Sequence, residues 1–473
     1  MKQLLLLISL FCVFSARTKA DSLTVLTLEN VYDLVLTNHP IAQQAQLLPD
    51  YAKAEIRTAR GAFDPLLKSD LNNKEFNKEE YWNVWQNSLN VPTWYGVDFK
   101  VAYDQTSGKY LDPEATTPDG GLSYVGFTVP IGQGLLIDNR RATLRQAQLL
   151  TTQATADKVR AINKLLLQVN KDYWDWSFTY QRMQLHQKSL RLASERFEAI
   201  RNRVILGEQA AIDSLEAFIE VQNRENTLNQ SNLELTNARV VFANHLWDAD
   251  GQPVEPNGTV VPQTGNSFNG ALSVLPLEQL LDTAKLQHPE IISMQVRIDQ
   301  LEIERKLAAE KLRPKLNLEY NFLAPGTELF YTSDAYSPLF NDNYKFGVNF
   351  SMPLFLRAER GKLGATKIKL EQTRFQQQQL SRDILNQVRT AYNEMTTLSQ
   401  QIVVQESLLL NADKLLEGEL SKFSEGESFL FLVNNRENGV INSQIKLAEL
   451  RTKYAKSIAF INWTAGNLIS RQP

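Results

Sequence analysis

The chain is nearly free of cysteine and has no apolar run long enough to cross a bilayer as a helix. Its 473 residues include a single cysteine, Cys12. That residue lies in a segment typical of a secretory signal, with Lys2 as the positive charge and an apolar core over residues 4–14. We predict a signal peptide over residues 1–20. The mature chain then has no disulfide and no thiol chemistry.

Strong charge of either sign and the motifs of ligand chemistry are also missing. The formal net charge is −3, and loss of the three basic residues in the signal peptide makes it −6. This balance argues against a nucleic-acid partner. The sequence has no phosphate loop, no nucleophile elbow and no metal-ligand spacing around its four histidines, His39, His186, His245 and His288. We predict no enzyme activity, no cofactor and no metal site.

The second half of the chain repeats the first. Pro40 and Pro289 are 249 positions apart, as are Pro65 and Pro314, whereas Tyr173 and Tyr392 are 219 apart, as are Gly207 and Gly426. Units of this size indicate a domain-scale duplication rather than a solenoid. We predict a first repeat over residues 21–247, an extended linker over 248–274 that is rich in Pro, Gly and Asn, and a second repeat over 275–473.

Both repeats contain a very long helical pattern. Residues 139–204 lack proline and glycine and carry apolar residues in alternating steps of three and four: Ile162, Leu166, Val169, Tyr173, Trp176, Tyr180 and Met183. The second repeat carries a matching series that begins Ile384, Val388, Ala391, Met395 and Leu398 and includes the polar Gln405. This spacing is a coiled-coil seam. A helix of about 65 residues is about 100 Å long and needs packing partners along its length.

Each long helix is predicted to stop at a glycine, Gly207 or Gly426, which accepts a tight turn. Further helical segments follow over residues 211–247 and 429–468. The sequence therefore predicts two antiparallel helical hairpins with the glycines at their tips.

Segments of period two precede each long helix. Apolar residues occupy every second position in three segments: Val125, Phe127 and Val129; Leu316, Leu318, Tyr320 and Phe322; and Phe346, Val348, Phe350 and Met352. The pattern fits transmembrane strands and half-buried soluble strands equally well. The first repeat has two further segments, residues 84–91 and 97–103, which predict an added hairpin.

The order of these elements, occurring twice, resembles the TolC-like outer-membrane efflux protein family. The resemblance covers residues 28–468. It is carried by Leu28, Val31 and Tyr32 with Pro40, by the prolines Pro65 and Pro314 before strands, by Val129-Pro130 and Met352-Pro353 at strand ends, and by Gly207 with Asp213 and Leu215.

The resemblance implies a mainly helical fold with strands, assembled as a homotrimer in the outer membrane. Each chain gives four strands to a common twelve-stranded β-barrel in contact with lipid, and four helical stretches to a coiled-coil tunnel through the periplasm. The duct is a passive conduit for efflux or type I secretion, joined by a periplasmic adaptor protein to an inner-membrane pump. The added hairpin either widens the barrel to six strands per chain or folds below it.

The resemblance also implies where the partners and the gate lie. The periplasmic tip and adaptor contact consist of Val204, Gly207, Asp213, Leu215, Phe423, Gly426 and Val433. Acidic residues that line the constriction often stand six and nine positions after the second glycine, but this chain has Leu432 and Asn435 there. Asp213 and Glu216 have that spacing in the first repeat, so the constriction candidates are Asp213, Glu216, Leu432 and Asn435.

Two clusters have more than one interpretation. Tyr173 and Trp176 share the seam face, which favours core packing over ligand stacking. Arg140, Arg141 and Arg145 fit a solvated face, a contact with lipid headgroups, or a charged band that steers substrates.

The sequence is also compatible with one alternative to the duct. A periplasmic coiled-coil scaffold, without a transmembrane barrel, would show the same helices and would use its strands in a soluble sheet. The two hypotheses differ in whether the apolar face of the strands is covered.

Overall fold

A computed structural model describes residues 24–256, 258–264, 275–327 and 343–466. The signal peptide with Cys12, and the predicted end of the last helix at Leu468, lie outside the described residues. The chain divides into two compact units, each drawing on both repeats. The helical unit comprises the described residues within 1–42, 165–274 and 391–461, and the sheet unit comprises those within 43–164, 275–390 and 462–473.

In each predicted repeat, two shorter helices are followed by strands and then by two longer helices. The first repeat holds β1 (Thr24–Leu26), α1 (Leu28–Asn38), α2 (Pro40–Arg60), β2 (Leu66–Phe76), β3 (Glu79–Pro92), β4 (Asp98–Ser107), β5 (Leu122–Pro130), α3 (Asn139–Ile205) and α4 (Ala211–Ala243). The linker holds β6 (Val260–Pro262), and the second repeat holds α5 (Leu277–Gln287), α6 (Pro289–Glu310), β7 (Lys315–Pro325), β8 (Tyr344–Ser351), α7 (Arg357–Ser424) and α8 (Leu430–Thr464). Both ends of α1 lie 249 positions before the corresponding ends of α5, and both ends of β2 lie 249 positions before those of β7.

Equivalent histidines open the second helix of each repeat. The Nδ1 atoms of His39 and His288 accept hydrogen bonds from the backbone N–H groups of Ile41 (3.1 Å) and Glu290 (3.3 Å). Both helices then begin with a proline, whose missing N–H needs no partner there. Burial lowers the pKa of His39 and of His288, which keeps each ring neutral and able to accept. The pair is one inherited helix cap.

The predicted seam of α3 forms the core of the helical unit. Leu166, Val169, Tyr173 and Trp176 are almost completely buried. The Trp176 ring stacks on that of Phe242 in α4 at 4.9 Å between centroids. Core packing is therefore the role of this aromatic cluster.

Part of the predicted linker forms a strand. Strand β6 pairs in parallel with β1, so that Thr24 faces Val260 and Leu26 faces Pro262. Helix α3 holds both strands, because the Tyr173 hydroxyl donates to the Leu26 carbonyl (2.8 Å) and accepts from the Gln263 N–H (3.0 Å). The contacts of Tyr173 thus fix β1 and the end of β6 against α3.

None of the helices within the described part of the chain is both long and apolar enough to span a membrane.

Candidate functional site

The strands of both repeats form one six-stranded sheet in the order β2-β3-β4-β5-β7-β8, with all neighbours antiparallel. Four of these strands match the number that the family resemblance implies. The other two, β3 and β4, are the added hairpin, and they join the sheet rather than folding away from it. The sheet of one chain therefore has six strands, and a barrel with six strands per chain stays a prediction.

The sheet has one apolar face and one polar face. One cross-strand row runs Leu67, Leu89, Val101, Val125, Phe322 and Tyr344, with one residue from each strand. A second row, on the other face by parity, runs Leu66, Asn90, Lys100, Gly126, Asn321 and Lys345. Large side chains of the apolar face are uncovered in the chain, among them Leu71 (66 % exposed) and Val348 (52 %). A sheet of this kind can have lipid on one side and water on the other.

The turn between β3 and β4 is fixed to the rest of the sheet unit. The ring of Trp94 in this turn stacks on Phe63 at 4.9 Å, and the Arg140 guanidinium lies over Phe63 at 5.8 Å. Arg140 also pairs with Asp98 at the start of β4 (2.9 Å). These contacts tie the added hairpin to the start of α3.

The three arginines at the start of α3 differ in their surroundings. Arg141 is buried, and its guanidinium donates to the carbonyls of Gly134 and Leu135 in the connection from β5. A solvated face is therefore wrong for Arg141, which holds the strand-to-helix connection in place. Arg145 is exposed, as that interpretation predicts.

The two helical tips share one backbone geometry. Gly207 and Gly426 have φ angles of +77° and +82°. At each tip the N–H after the glycine bonds to a carbonyl five residues back, Glu208 to Arg203 and Glu427 to Lys422, both at 2.9 Å. This is the Schellman ending of a helix, which satisfies carbonyls that the helix leaves unpaired. The predicted tips are present in both repeats.

The tips give a direct test of this backbone requirement. Gly207→Ala is expected to destabilise the first hairpin by about 1–2 kcal/mol, because a Cβ disfavours the left-handed region. Nothing lies within 4 Å of the added atom, so the effect is conformational and not steric. Gly418→Ala, inside α7 and equally open, is the control and is expected to stabilise by up to about 1 kcal/mol. Chemical unfolding measures both, and equal effects of the two substitutions would contradict the assignment.

The predicted adaptor-contact residues differ in accessibility. Leu215 is exposed, whereas Val204 and Phe423 are half-buried against a cluster of Ile200, Ala217 and Leu430. Val433 is fully buried. Leu215 and the glycine turns are therefore the accessible part of the predicted contact, and Val433 supports it from within.

The constriction candidates lie near the starts of α4 and α8, six and nine positions after the glycines. Asp213 and Leu432 are half-buried, while Glu216 and Asn435 are exposed. Their role in a constriction stays a prediction.

A buried charge network lies behind the tips, where the sequence analysis placed no functional residue. Glu437 of α8 accepts from Arg196 of α3 (2.8 Å) and from Arg224 of α4 (2.9 Å). Arg224 also pairs with Glu220 (2.8 Å) and donates to the Ser189 carbonyl (2.9 Å). Burial raises the pKa of Glu437, but the hydrogen bonds and charges of the two arginines outweigh it and hold the pKa below its usual range. The network joins three helices through one carboxylate.

Groups of three or more His, Cys, Asp or Glu residues placed to hold a metal ion do not occur among the described residues.

The chain is similar to known outer-membrane proteins. Residues 280–461 match the family model described as outer membrane efflux protein. The alkaline protease secretion protein AprF of Pseudomonas aeruginosa is 22 % identical over 309 residues, which cover 64 % of this chain and 62 % of that protein. The chain thus matches less than two thirds of the length of this relative.

Solved structures of the same kind share the fold. The CmeC outer membrane channel of Campylobacter jejuni has a TM-score of 0.64 at 14 % identity, covering 93 % of this chain and 86 % of that one. The open MtrE outer membrane channel of Neisseria gonorrhoeae has a TM-score of 0.66 at 14 % identity, covering 93 % and 89 %. The resemblance to the TolC-like outer-membrane efflux protein family is thereby confirmed. The names of these relatives describe channels and a secretion protein, not enzymes.

Proposed function

We propose that this protein is a passive exit duct in the outer membrane, serving an efflux or type I secretion system. The observation that carries the proposal is the sheet, whose apolar face is exposed on β2, β3, β4 and β8 and half-buried on β5 and β7, while its other face is polar. A soluble scaffold sheet normally packs such a face against a core. Contact with lipid accounts for the exposed apolar side chains, and the named relatives are channels and a secretion protein.

The proposed working form is a homotrimer. Among the described strands, β2 and β8 each pair on one side only, so a single chain leaves two sheet edges open. Open edges of this length invite pairing with another chain, and a closed barrel removes them. A trimer of the kind that the family resemblance implies closes all the edges at once.

The proposed partners act at the helical tips. An adaptor protein of the periplasm contacts the accessible residues there, Leu215 and the turns at Gly207 and Gly426, and joins the duct to a pump in the inner membrane. Exposed apolar side chains beside the turns support a docking surface, since Ile212 and Phe429 are more than two thirds exposed. The pump supplies the free energy, and the duct supplies an aqueous path and a gate.

Membrane extraction followed by native mass spectrometry tests the duct against the scaffold. The duct is expected to stay in the outer-membrane fraction after carbonate washing, to require detergent for release, and to have the mass of three mature chains. Release by carbonate as a stable monomer with full helix content would favour the periplasmic coiled-coil scaffold.

A charged ring at the constriction makes conductance sensitive to polyvalent cations. Three copies of Asp213 would form such a ring, so divalent ions are expected to block single channels in planar bilayers. Asp213→Ala is expected to weaken this block at least several-fold, whereas Glu225→Ala, an exposed carboxylate farther along α4, leaves it unchanged. If block survives Asp213→Ala, the ring belongs to Glu216, or the gate is steric.

A further inference from the structure

The added hairpin lies in the interior of the sheet. Because β2 and β7 are equivalent strands of the repeat, and β5 and β8 each precede a long helix, the duplicated pairs are β2 with β5 and β7 with β8. In the second repeat the two strands pair directly, whereas in the first repeat β3 and β4 stand between them. The insertion has therefore lengthened the sheet from within and has not capped an edge.

The inserted strands share both surfaces of the sheet. Leu89 of β3 and Val101 of β4 continue the apolar row from Leu67 to Val125, and Asn90 with Lys100 continues the polar row. The turn of the hairpin is held by the Trp94–Phe63 stack. A hairpin that lay outside a barrel wall would have no reason to keep this alternation.

The direction of the edge strands permits closure by further copies. Six strands that alternate in direction leave β2 and β8 antiparallel to each other. In a ring of identical chains, β8 of one copy therefore meets β2 of the next in the antiparallel sense that the rest of the sheet uses. An inserted hairpin keeps this property, because it adds two strands.

The ladder already has the stagger that a barrel needs. A row of residues that lie opposite one another on successive strands begins at Leu66 of β2, passes through Asn90, Lys100 and Gly126, and ends at Asn321 of β7. Lys315 has the position in the second repeat that Leu66 has in the first. Asn321 lies six residues beyond Lys315, so the strand register shifts by six residues over four strand-to-strand steps. A slip of about 1.5 residues per step corresponds to a strand tilt of about 45°, at the upper end of the range for closed barrels.

We propose that three copies close an eighteen-stranded barrel, with β8 of each copy paired to β2 of the next. This inference rests on the trimer of the proposed function. Since diameter rises roughly linearly with strand number, the barrel is about 1.5 times as wide as one of twelve strands, with about twice the cross-section. Barrels of 16–18 strands enclose an open aqueous channel, so the outlet accepts bulkier solutes than a twelve-stranded one.

Strand number sets the distance between equivalent points on the three copies. At this tilt the diameter is about 39 Å for eighteen strands and about 26 Å for twelve, which places equivalent points about 34 Å or about 23 Å apart. A nitroxide label on Val348→Cys reports this distance, because removal of the signal peptide leaves the mature chain free of other cysteines.

The matched control removes the hairpin. Deletion of residues 77–107 takes out β3 and β4 and lets residues 108–121 connect β2 to β5. This deletion is possible because Asn83 pairs with both Asn73 of β2 and Ser107 of β4, so the two strands end on the same side of the sheet. Label-to-label distances in the trimer are expected to be about 11 Å longer in the full chain than in the deletion variant.

Electron cryomicroscopy of the full-length trimer counts strands independently and does not depend on the variant. Eighteen strands around the ring support the proposal, and so does the long label distance. A trimer with twelve strands in its wall and three hairpins outside it overturns the eighteen-stranded barrel while leaving the duct intact. A protein that is not a membrane trimer instead overturns the proposed function.

Discussion

Leu166→Asp is expected to prevent assembly or to lower the melting temperature of the assembled protein by many degrees. Leu166 is completely buried on the seam of α3, among residues that are apolar on both sides along the seam. A carboxylate placed there without a partner costs several kcal/mol, or takes up a proton and leaves a polar group buried without its hydrogen bonds. Circular dichroism during heating, together with the yield of trimer from detergent extracts, measures the effect.

The control for this substitution lies on the same helix. Thr152 is exposed, so Thr152→Asp introduces the same group into water and is expected to change stability by no more than about 0.5 kcal/mol. If the Leu166 variant has the same melting temperature as the wild type, the seam is not the packing core of the helical unit.

Glu437→Gln is expected to destabilise the helical unit by about 3–5 kcal/mol, because it leaves two arginines with their shared carboxylate replaced by a neutral amide. Arg224 is itself buried, and among the described residues Glu220 is the ionic partner that it keeps. Glu449→Gln, the same change on the same helix, is the control. Its partners Lys446 and Lys453 are exposed neighbours on one helix, and such pairs contribute less than about 1 kcal/mol.

The contribution of Glu437 should depend on pH in one direction. Its folded-state pKa is depressed, so its stabilising effect is fully present above the pKa of the unfolded chain, about 4.5. The effect is lost as the pH falls through the lower folded-state pKa. The difference in unfolding free energy between wild type and Glu437→Gln should therefore begin to shrink as the pH falls below about 4.5. A difference that stays constant down to pH 3 would assign the effect to packing instead of charge.

The regular elements were predictable because each rests on a local pattern. Residues 139–204 were predicted as helix and form α3 to Ile205, and both glycine turns lie where the pattern stops. Helix α4 ends at Ala243 and not at Trp247, since the following residues turn back and Trp247 bridges to Pro253. That ending depends on a contact with the linker, which helical periodicity does not record.

The contacts between distant segments were not predictable from periodicity. Arg196, Arg224 and Glu437 stand on three different helices, and charged residues on long helices usually form a solvated face. Gln405 was visible as a polar residue in an apolar seam, but its role, donation to the Ser443 carbonyl on the facing helix, needs the structure. The alternation of β3 and β4 predicted strands, yet their place in the sheet depends on pairing that one sequence does not specify.

The pairing of β1 with β6 has a consequence for the order of folding. Thr24 and Val260 are partners although they lie 236 positions apart, and the pair is parallel, so neither strand has a local route to the other. Chain closure over such a separation is slow, whereas helical hairpins form from nearby residues. Strand β1 should therefore become protected late, after α3 and α4 have formed. Pulsed hydrogen exchange during refolding is expected to show amides of β1 exchanging after those around Leu166 are already protected.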